Sequence, residues 1–343
     1  MSVRVLVAMS GGVDSSVAAA MLVDQGYDVT GVTLRLWGGE ADQGCCSISD
    51  VHDARRVADQ LGIDHHVFNF SEDFDRHVVE PFARDHAVGR TPNPCIECNR
   101  HLKFDLLVER ADVLGFEKIA TGHHARIVER SAGIRRLHRG ADPAKDQSYV
   151  LAMLDQSTLR RCLFPVGDLQ KTEVRELAAS AGLRTAAKSE SQDICFIRSD
   201  EGRSGFLESR IDFHPGEVVD TDGNRVGSVE AVQLVTIGQR KGLGVAGGAP
   251  PRYVVEVDLP AARVTVGSLA DLDCNFSSVE RIEWSHQRVE GILSVQSSAH
   301  GEPAAGVVTS DEVEWMSPHR RIAAGQSVAF YDGDDIVGSA VAI

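Results

Sequence analysis

Two stretches of this chain hold residues whose types and spacing can do chemistry. The first is Ser10-Gly11-Gly12-Val13-Asp14-Ser15-Ser16. It lies between an apolar run, Val3 to Met9, and a helix-forming one, Val17 to Leu22. A strand, a glycine turn and a helix start together aim backbone N–H groups and a positive helix end at a phosphate. The glycines let the backbone approach a ligand without a Cβ in the way, and the serine hydroxyls add donors. The stretch lacks the lysine of a G-x-x-x-x-G-K-[ST] loop and the third glycine of G-x-G-x-x-G. The second stretch is Thr91-Pro92-Asn93-Pro94-Cys95-Ile96-Glu97-Cys98-Asn99. Its prolines stiffen the approach to a C-x-x-C pair at an expected helix start, where a helix end stabilises thiolates. A third cysteine, Cys195, sits far along the chain in Gln192-Asp193-Ile194-Cys195-Phe196.

Composition narrows the setting. The 343 residues leave room for two or three domains. A formal net charge of −15 argues against a general nucleic-acid binder but leaves space for a local basic face. No apolar run approaches the ~18 residues of a membrane span, and the N-terminus enters a strand directly. We therefore expect a cytoplasmic protein with no membrane partner. Seven cysteines in such a chain are expected to be reduced, catalytic or metal-binding. Cys162 is expected in the core; the role of Cys45 and Cys46 stays open. The histidines show no zinc-type spacing, so no zinc site is expected.

The elements that must position these residues alternate up to about residue 125. Strands are expected at 27–34, 65–70 and 118–121, and helices at 50–61, 74–87 and 102–114. Such alternation makes an α/β fold: a Rossmann-like parallel sheet with helices on both faces. Ligands then sit at the carboxyl ends of the strands, so the serine-glycine loop, the turn after Leu34 and Gly122-His123 should line one cleft. Residues 126–150 read as a hairpin rich in cations; Arg126, Arg135, Arg136, Arg139 and Lys145 are candidates for a basic face. Helices are expected at 157–162 and 172–181. From about Gly202 short alternating runs take over, including 217–220, 232–235, 252–257 and 263–266. A hairpin is expected around Asp332-Gly333-Asp334-Asp335. The reading is a first domain at 1–201, a small β-rich central domain at 202–266 and a C-terminal β-barrel at 267–343.

The loop resembles the S-G-G-x-D-S pyrophosphate-binding loop of the ATP pyrophosphatase superfamily, whose members split ATP between its α and β phosphates. Over its whole length the chain resembles the tRNA-specific 2-thiouridylase family. The likeness is carried by Ser10 to Ser15, Gly89 to Pro94, Cys98-Asn99, Lys103-Phe104, Ala120 to His123, Lys145 to Tyr149, Leu163 to Gly167, Asp193 to Ile197 and Gly238 to Gly244. It implies an adenine nucleotide α-hydrolase-like first domain and a sulfurtransferase. Such an enzyme adenylates the wobble uridine of tRNAs for Lys, Glu and Gln, then replaces oxygen with sulfur. ATP and Mg²⁺ are the implied cofactors. tRNA and a sulfur donor, protein or sulfide, are the implied partners, with no DNA.

By position, the resemblance implies ATP contacts at Ala8, Met9, Ser10, Gly11, Gly12, Val13, Asp14, Ser15 and Leu34, with Gly122 beside them. Asp14 is also a candidate metal partner. Cys98 matches the nucleophile and Cys195 the persulfide carrier. Asn93, Pro94 and Cys95 match the segment that touches the target base. His123, Lys145, Asp146, Gln147 and Gln326 match tRNA-contacting positions. The chain departs from the family pattern at Cys95, where many members carry aspartate, at His124, often tyrosine, and at Ser297-Ser298, where many carry Arg-Tyr. Two chemistries stay open. Cys195 can hold persulfide sulfur with Cys98 assisting its release, or Cys95, Cys98 and Cys195 can ligate a [4Fe–4S] cluster with one iron left for sulfide. Two rival readings are an ATP pyrophosphatase serving amine attack and a non-catalytic iron–sulfur RNA-binding protein.

Overall fold

A computed structural model describes residues 2–36, 47–130, 133–189, 194–198, 200–245 and 250–343. Cys45, Cys46, Gln192 and Asp193 lie outside them. The apolar run before the glycine loop forms the strand Arg4–Ala8. It is central in a parallel five-stranded sheet, between Asp28–Arg35 on one side and Lys118–Ala120 on the other. Asp64–Asn69 and the short strand Cys162–Leu163 complete the edges. Both faces of the central strand are covered. Leu6 packs into one apolar cluster with Phe74, Phe104 and Ile119, while Val5 and Val7 pack into another with Val17 and Leu22. That explains why the strand reads as a continuous apolar run.

The chain moves outward from Arg4–Ala8 to Asp28–Arg35 and Asp64–Asn69, then returns to the other side at Lys118–Ala120. The sheet therefore reverses direction beside the end of Arg4–Ala8. Such a reversal opens a crevice at the strands' carboxyl ends, as the alternation pattern requires.

The remaining chain is β-rich. A four-stranded mixed sheet contains Gly216–Asp220, Arg225–Val229, Tyr253–Asp258 and Arg263–Gly267. The run at 232–235, expected as a strand, is a single 3₁₀ turn, Val232–Leu234. A four-residue run fits one helical turn as well as a strand, and here the turn packs Val232 into the core of the four-stranded sheet without pairing as a strand. Six strands from Asp273–Trp284 to Asp335–Ala342 close into an antiparallel barrel, the last pairing back onto the first.

The hairpin Ala125–Glu129 and Arg135–Arg139 does not stand alone as a basic face. It extends the barrel's sheet, with Leu137 opposite Ile336 and His138 opposite Asp335. Its arginines have partners, some within the hairpin and some on the barrel. Arg139 bonds Asp146 (3.0 Å) and Gln296 (3.0 Å), and its guanidinium lies 3.8 Å from the Tyr331 ring centre. Arg126 donates to the Arg139 carbonyl (2.7 Å), Arg136 to Ser285 and Arg130 to both oxygens of Asp335. Arg135 faces Glu129 at 3.8 Å.

Candidate active site

The loop begins where Arg4–Ala8 ends. Met9 is buried, its N–H bonded to the Val32 carbonyl (2.8 Å) and its carbonyl accepting the Thr33 hydroxyl (2.7 Å). Gly11 turns the chain at φ +74°, a region closed to most side chains, and a Cβ there would lie 2.3 Å from the Asp50 carbonyl oxygen. Ser15 then folds back. Its hydroxyl accepts from the Ser10 N–H (3.2 Å) and donates to the Gly12 carbonyl (3.3 Å). Val13–Asp24 is the helix whose first turn carries Asp14. Leu34 lies two residues beyond Val32, the partner of Ala8 in the sheet register. Gly122 is pressed onto the loop from the far side of the reversal. A Cβ on it would sit 2.5 Å from the Ser15 nitrogen and 2.6 Å from the Asp14 carbonyl carbon. The residues expected to contact ATP therefore gather at one edge of the sheet.

Two lysines that sequence reading missed tie this loop down. Lys171 places its ammonium 2.7 Å from both Asp14 oxygens, and the His124 Nε2 is 3.1 Å from one of them. Burial works to raise the Asp14 pKa; the bonds from His124 and Lys171 outweigh it and hold the carboxyl below its ordinary range. Lys188 bonds the Gly11 carbonyl (3.0 Å), Asp50 (2.6 Å) and Asp53 (2.7 Å). These contacts span 157 and 177 residues, so no local spacing announces them. Only the capping box at Gln170, which starts the helix Lys171–Ser180, hinted where Lys171 would stand.

The cysteines ride on a continuous helical rod made of Pro94–Glu97, a widened π-helical stretch Cys98–Leu106, and Leu107–Val113. Asn93 starts it, its side chain accepting from the Cys95 N–H at 3.1 Å. The rod begins earlier than the expected 102–114, because Pro94 at the first helical position and the Asn93 cap are start signals. Extended π-helical turns are rare and gather at functional sites. Cys95 is exposed and Cys98 is buried. Cys98 belongs to the apolar cluster under the sheet, and Cys195 packs against that same cluster beside Phe196, Ile194 and Ile197. Cys162 is in the core as expected, its thiol pushed up by burial.

Several positions expected to meet tRNA already have work inside the fold. His123 is 8% exposed, its ring between Phe104 and Phe164 and its Nδ1 2.6 Å from the Thr121 hydroxyl. Burial keeps it neutral. The Asp146 carboxylate accepts from the Gly140 and Ser148 N–H groups and from Arg139. The Gln147 side chain accepts from the His124 N–H (2.9 Å), which helps to set the ring that meets Asp14. Gln326 donates to the Thr91 carbonyl (2.6 Å), joining the barrel to the segment before the cysteines. Lys145 is half-buried in the same loop as Asp146.

One titration sits on the cysteine rod. His101 lies between Asp105 (3.3 Å) and Glu97 (3.4 Å). Its bonds to Asp105 and then Glu97 outweigh burial and raise its pKa to about 9. A raised folded-state pKa adds stability that is complete below the unfolded value near 6.5 and is lost as pH climbs through about 9. His101→Gln should therefore lower the melting temperature by a constant amount below about pH 6.5, the gap closing by about pH 9. A gap independent of pH across that window would refute the assignment.

Family models match the chain along its length. They are described as a tRNA methyl transferase HUP domain (residues 3–199), a tRNA methyl transferase PRC-barrel domain (204–268) and an aminomethyltransferase beta-barrel domain (277–342). Fold, loop and matches define the class: a HUP-type α/β domain carrying two β modules. The tRNA-specific 2-thiouridylase MnmA of Acidothermus cellulolyticus is 46% identical over 98% of this chain and 96% of its own. Those of Heliobacterium modesticaldum (45%; 98% and 92%) and Mycolicibacterium paratuberculosis (46%; 98% and 98%) are equally similar. The chain belongs to the tRNA-specific 2-thiouridylase MnmA family.

Proposed function

We propose that this protein 2-thiolates the wobble uridine of tRNA at the expense of ATP, in the cytoplasm. The observation that carries the reading is one apolar cluster shared by Cys98, Cys195, Leu34 and Ala8. The cysteines thus share packing with the strand ends that flank the nucleotide loop, while the loop's Met9 and Val13 pack in the neighbouring cluster. A methyl transferase, which the family model's description mentions, needs neither an ATP-splitting loop nor three cysteines.

In this reading the uracil O2 attacks the α phosphorus, pyrophosphate leaves, and the base carries AMP. The N–H groups of the Ser10–Ser15 loop stabilise charge on the departing phosphates. Sulfur then attacks C2 and AMP leaves with the original oxygen. The target nucleotide must leave the anticodon stack to reach this point. Recognition of the rest of the tRNA rests on shape and backbone. Asn93, Pro94 and Cys95 are the proposed base contacts; Lys145 and Gln147 are the proposed tRNA contacts nearest the loop. Mg²⁺ belongs with the triphosphate. Both Asp14 oxygens are held by Lys171, so Asp14 is a poor first ligand and no step depends on it.

For the sulfur step we propose that Cys95, Cys98 and Cys195 hold a [4Fe–4S] cluster. By type the donors suit such a cluster, three thiols with two of them three residues apart at a helix start, though the described side chains are not gathered around one point. If bound there, such a cluster would supply activated sulfide. A second reading has its own support, because among the described residues no three Cys, His, Asp or Glu side chains stand ready around one metal ion. In it, persulfide sulfur on Cys195 attacks C2. Cys98 thiolate then attacks the Cys195 sulfur, breaking the S–S bond, freeing 2-thiouridine and leaving a Cys98–Cys195 disulfide for an external thiol to reduce.

Unmodified tRNA, ATP-Mg²⁺ and sulfide, assayed for AMP, pyrophosphate and thiolated nucleoside, test the function. Pyrophosphate without thiolated nucleoside would favour amine transfer, and no pyrophosphate at all would favour a non-catalytic protein. Anaerobic reconstitution with iron should give broad visible absorbance that Cys95→Ala abolishes. No absorbance, with full activity in Cys95→Ala, selects the persulfide reading.

A further inference from the structure

Arg281, in the barrel strand Asp273–Trp284, lines a narrow crevice beside Ile96, Glu97 and Arg100 of the cysteine rod. Its charged neighbours in the strand meet partners: Glu280 takes Arg90, and Glu283 takes Arg100 at 2.7 Å. Arg281, between them, is different. It is exposed, and its guanidinium makes no hydrogen bond or ion pair with any described residue. Its backbone is left-handed at φ 51° in mid-strand. Here the register against Asp335–Ala342 slips between Glu280 and Glu283. Such bulges re-aim side chains, and a strained non-glycine residue is held only where its surroundings insist on it.

What Arg281 is aimed into is informative. The crevice is lined by Ile96, Glu97, Arg100, Tyr149 and Ser327 as well. Ile96, Glu97 and Arg100 belong to the helical rod that carries Cys95 and Cys98, so the crevice runs along that rod where it meets the barrel. Asp85 and Glu97 feel the Arg281 charge without pairing with it. A cation held in strained backbone, unpaired, against the rod that carries the cysteines lacks an anion. A planar guanidinium fork matches the paired oxygens of a phosphate.

We propose that Arg281 binds a backbone phosphate of the tRNA flanking the nucleotide delivered to Cys98. The proposal rests on the thiolation reading and gives the barrel a direct part in it. Phosphate contacts fix register without reading sequence, which suits an enzyme that must place one base. Asp85 and Glu97 supply weak counter-charge until the phosphate arrives.

The test is tRNA affinity against KCl concentration for wild type, Arg281→Ala and Arg281→Gly, with melting temperatures and the KM for ATP. Loss of one phosphate contact should weaken binding about five- to tenfold at 0.1 M salt and reduce the slope of log K against log salt by about 0.7–0.9. The KM for ATP should not move. Arg281→Gly relieves the left-handed strain, so it should melt at or above the wild-type temperature while binding tRNA as weakly as Arg281→Ala. An unchanged salt slope would overturn the proposal, whether or not melting falls; a fall in both variants would make Arg281 a rung between Glu280 and Glu283 that joins the domains. Wild-type protein that binds tRNA but makes no 2-thiouridine would sink the thiolation reading, and the salt slope would still decide Arg281.

Discussion

Cys195→Ser is expected to cut 2-thiouridine formation by at least about 10³-fold while single-turnover pyrophosphate release is kept. In the proposed reaction adenylation uses the Ser10–Ser15 loop, which the substitution leaves untouched, and sulfur delivery needs the Cys195 sulfur in either proposed chemistry. Cys98→Ser should behave alike, though Cys98 is buried in the apolar cluster and a hydroxyl there also costs some stability. Cys95→Ala separates the two chemistries, being fatal to a cluster and tolerable for a persulfide relay. The measurement is quantitative nucleoside analysis of tRNA after one turnover, beside released pyrophosphate. Thiolation within threefold of wild type in Cys195→Ser would remove sulfur transfer from this residue altogether.

The second large effect should come from a single methyl group. Gly122→Ala places a Cβ 2.5 Å from the Ser15 nitrogen and 2.6 Å from the Asp14 carbonyl carbon. Both neighbours are backbone and cannot swing aside, so the phosphate-side turn must shift. Overpacking of this kind costs about 1–3 kcal/mol. Where the cost falls on the nucleotide-competent loop, ATP affinity drops on the order of tenfold to a hundredfold. Ser15 also bonds Ser10 and Gly12, so the displacement spreads through the turn. Isothermal titration with a non-hydrolysable ATP analogue measures it, with tRNA affinity as the control that should hold. Unchanged nucleotide affinity would mean that the Gly122 contact does not shape the site.

Much of the α/β half is legible in the sequence because its signals are local. The strand at 28–35 and the helix Ile48–Leu61 announce themselves through apolar spacing and a left-handed Gly62 at the helix end. The expected helix at 74–87 is present, broken into Ser71–Phe74, a π-helical turn and Glu80–Ala87. The π turns were invisible, since an extra residue per turn leaves little trace in a period read over a few residues. The basic hairpin was misread for a related reason. Counting arginines cannot reveal that Asp335 and Ser285, drawn from the distant barrel, and Asp146, in the loop just after the hairpin, take Arg130, Arg136 and Arg139.

The chemistry was therefore set by short motifs, and the company they keep by the fold. Ser10–Ser16 fixes a glycine turn between strand and helix, because strand, glycines and helix start are neighbours in the chain, and Asn93-Pro94 fixes where the rod carrying Cys95 and Cys98 begins. Only the tertiary structure decided that Lys171 and Lys188 anchor the loop, that His123 is buried and neutral, that Gln326 binds a backbone carbonyl, and that Arg281 stands unpaired beside the cysteine rod. All but the His123 burial depend on a contact across more than a hundred residues or on a bulge set by strand register, and neither distance nor register is written in local spacing.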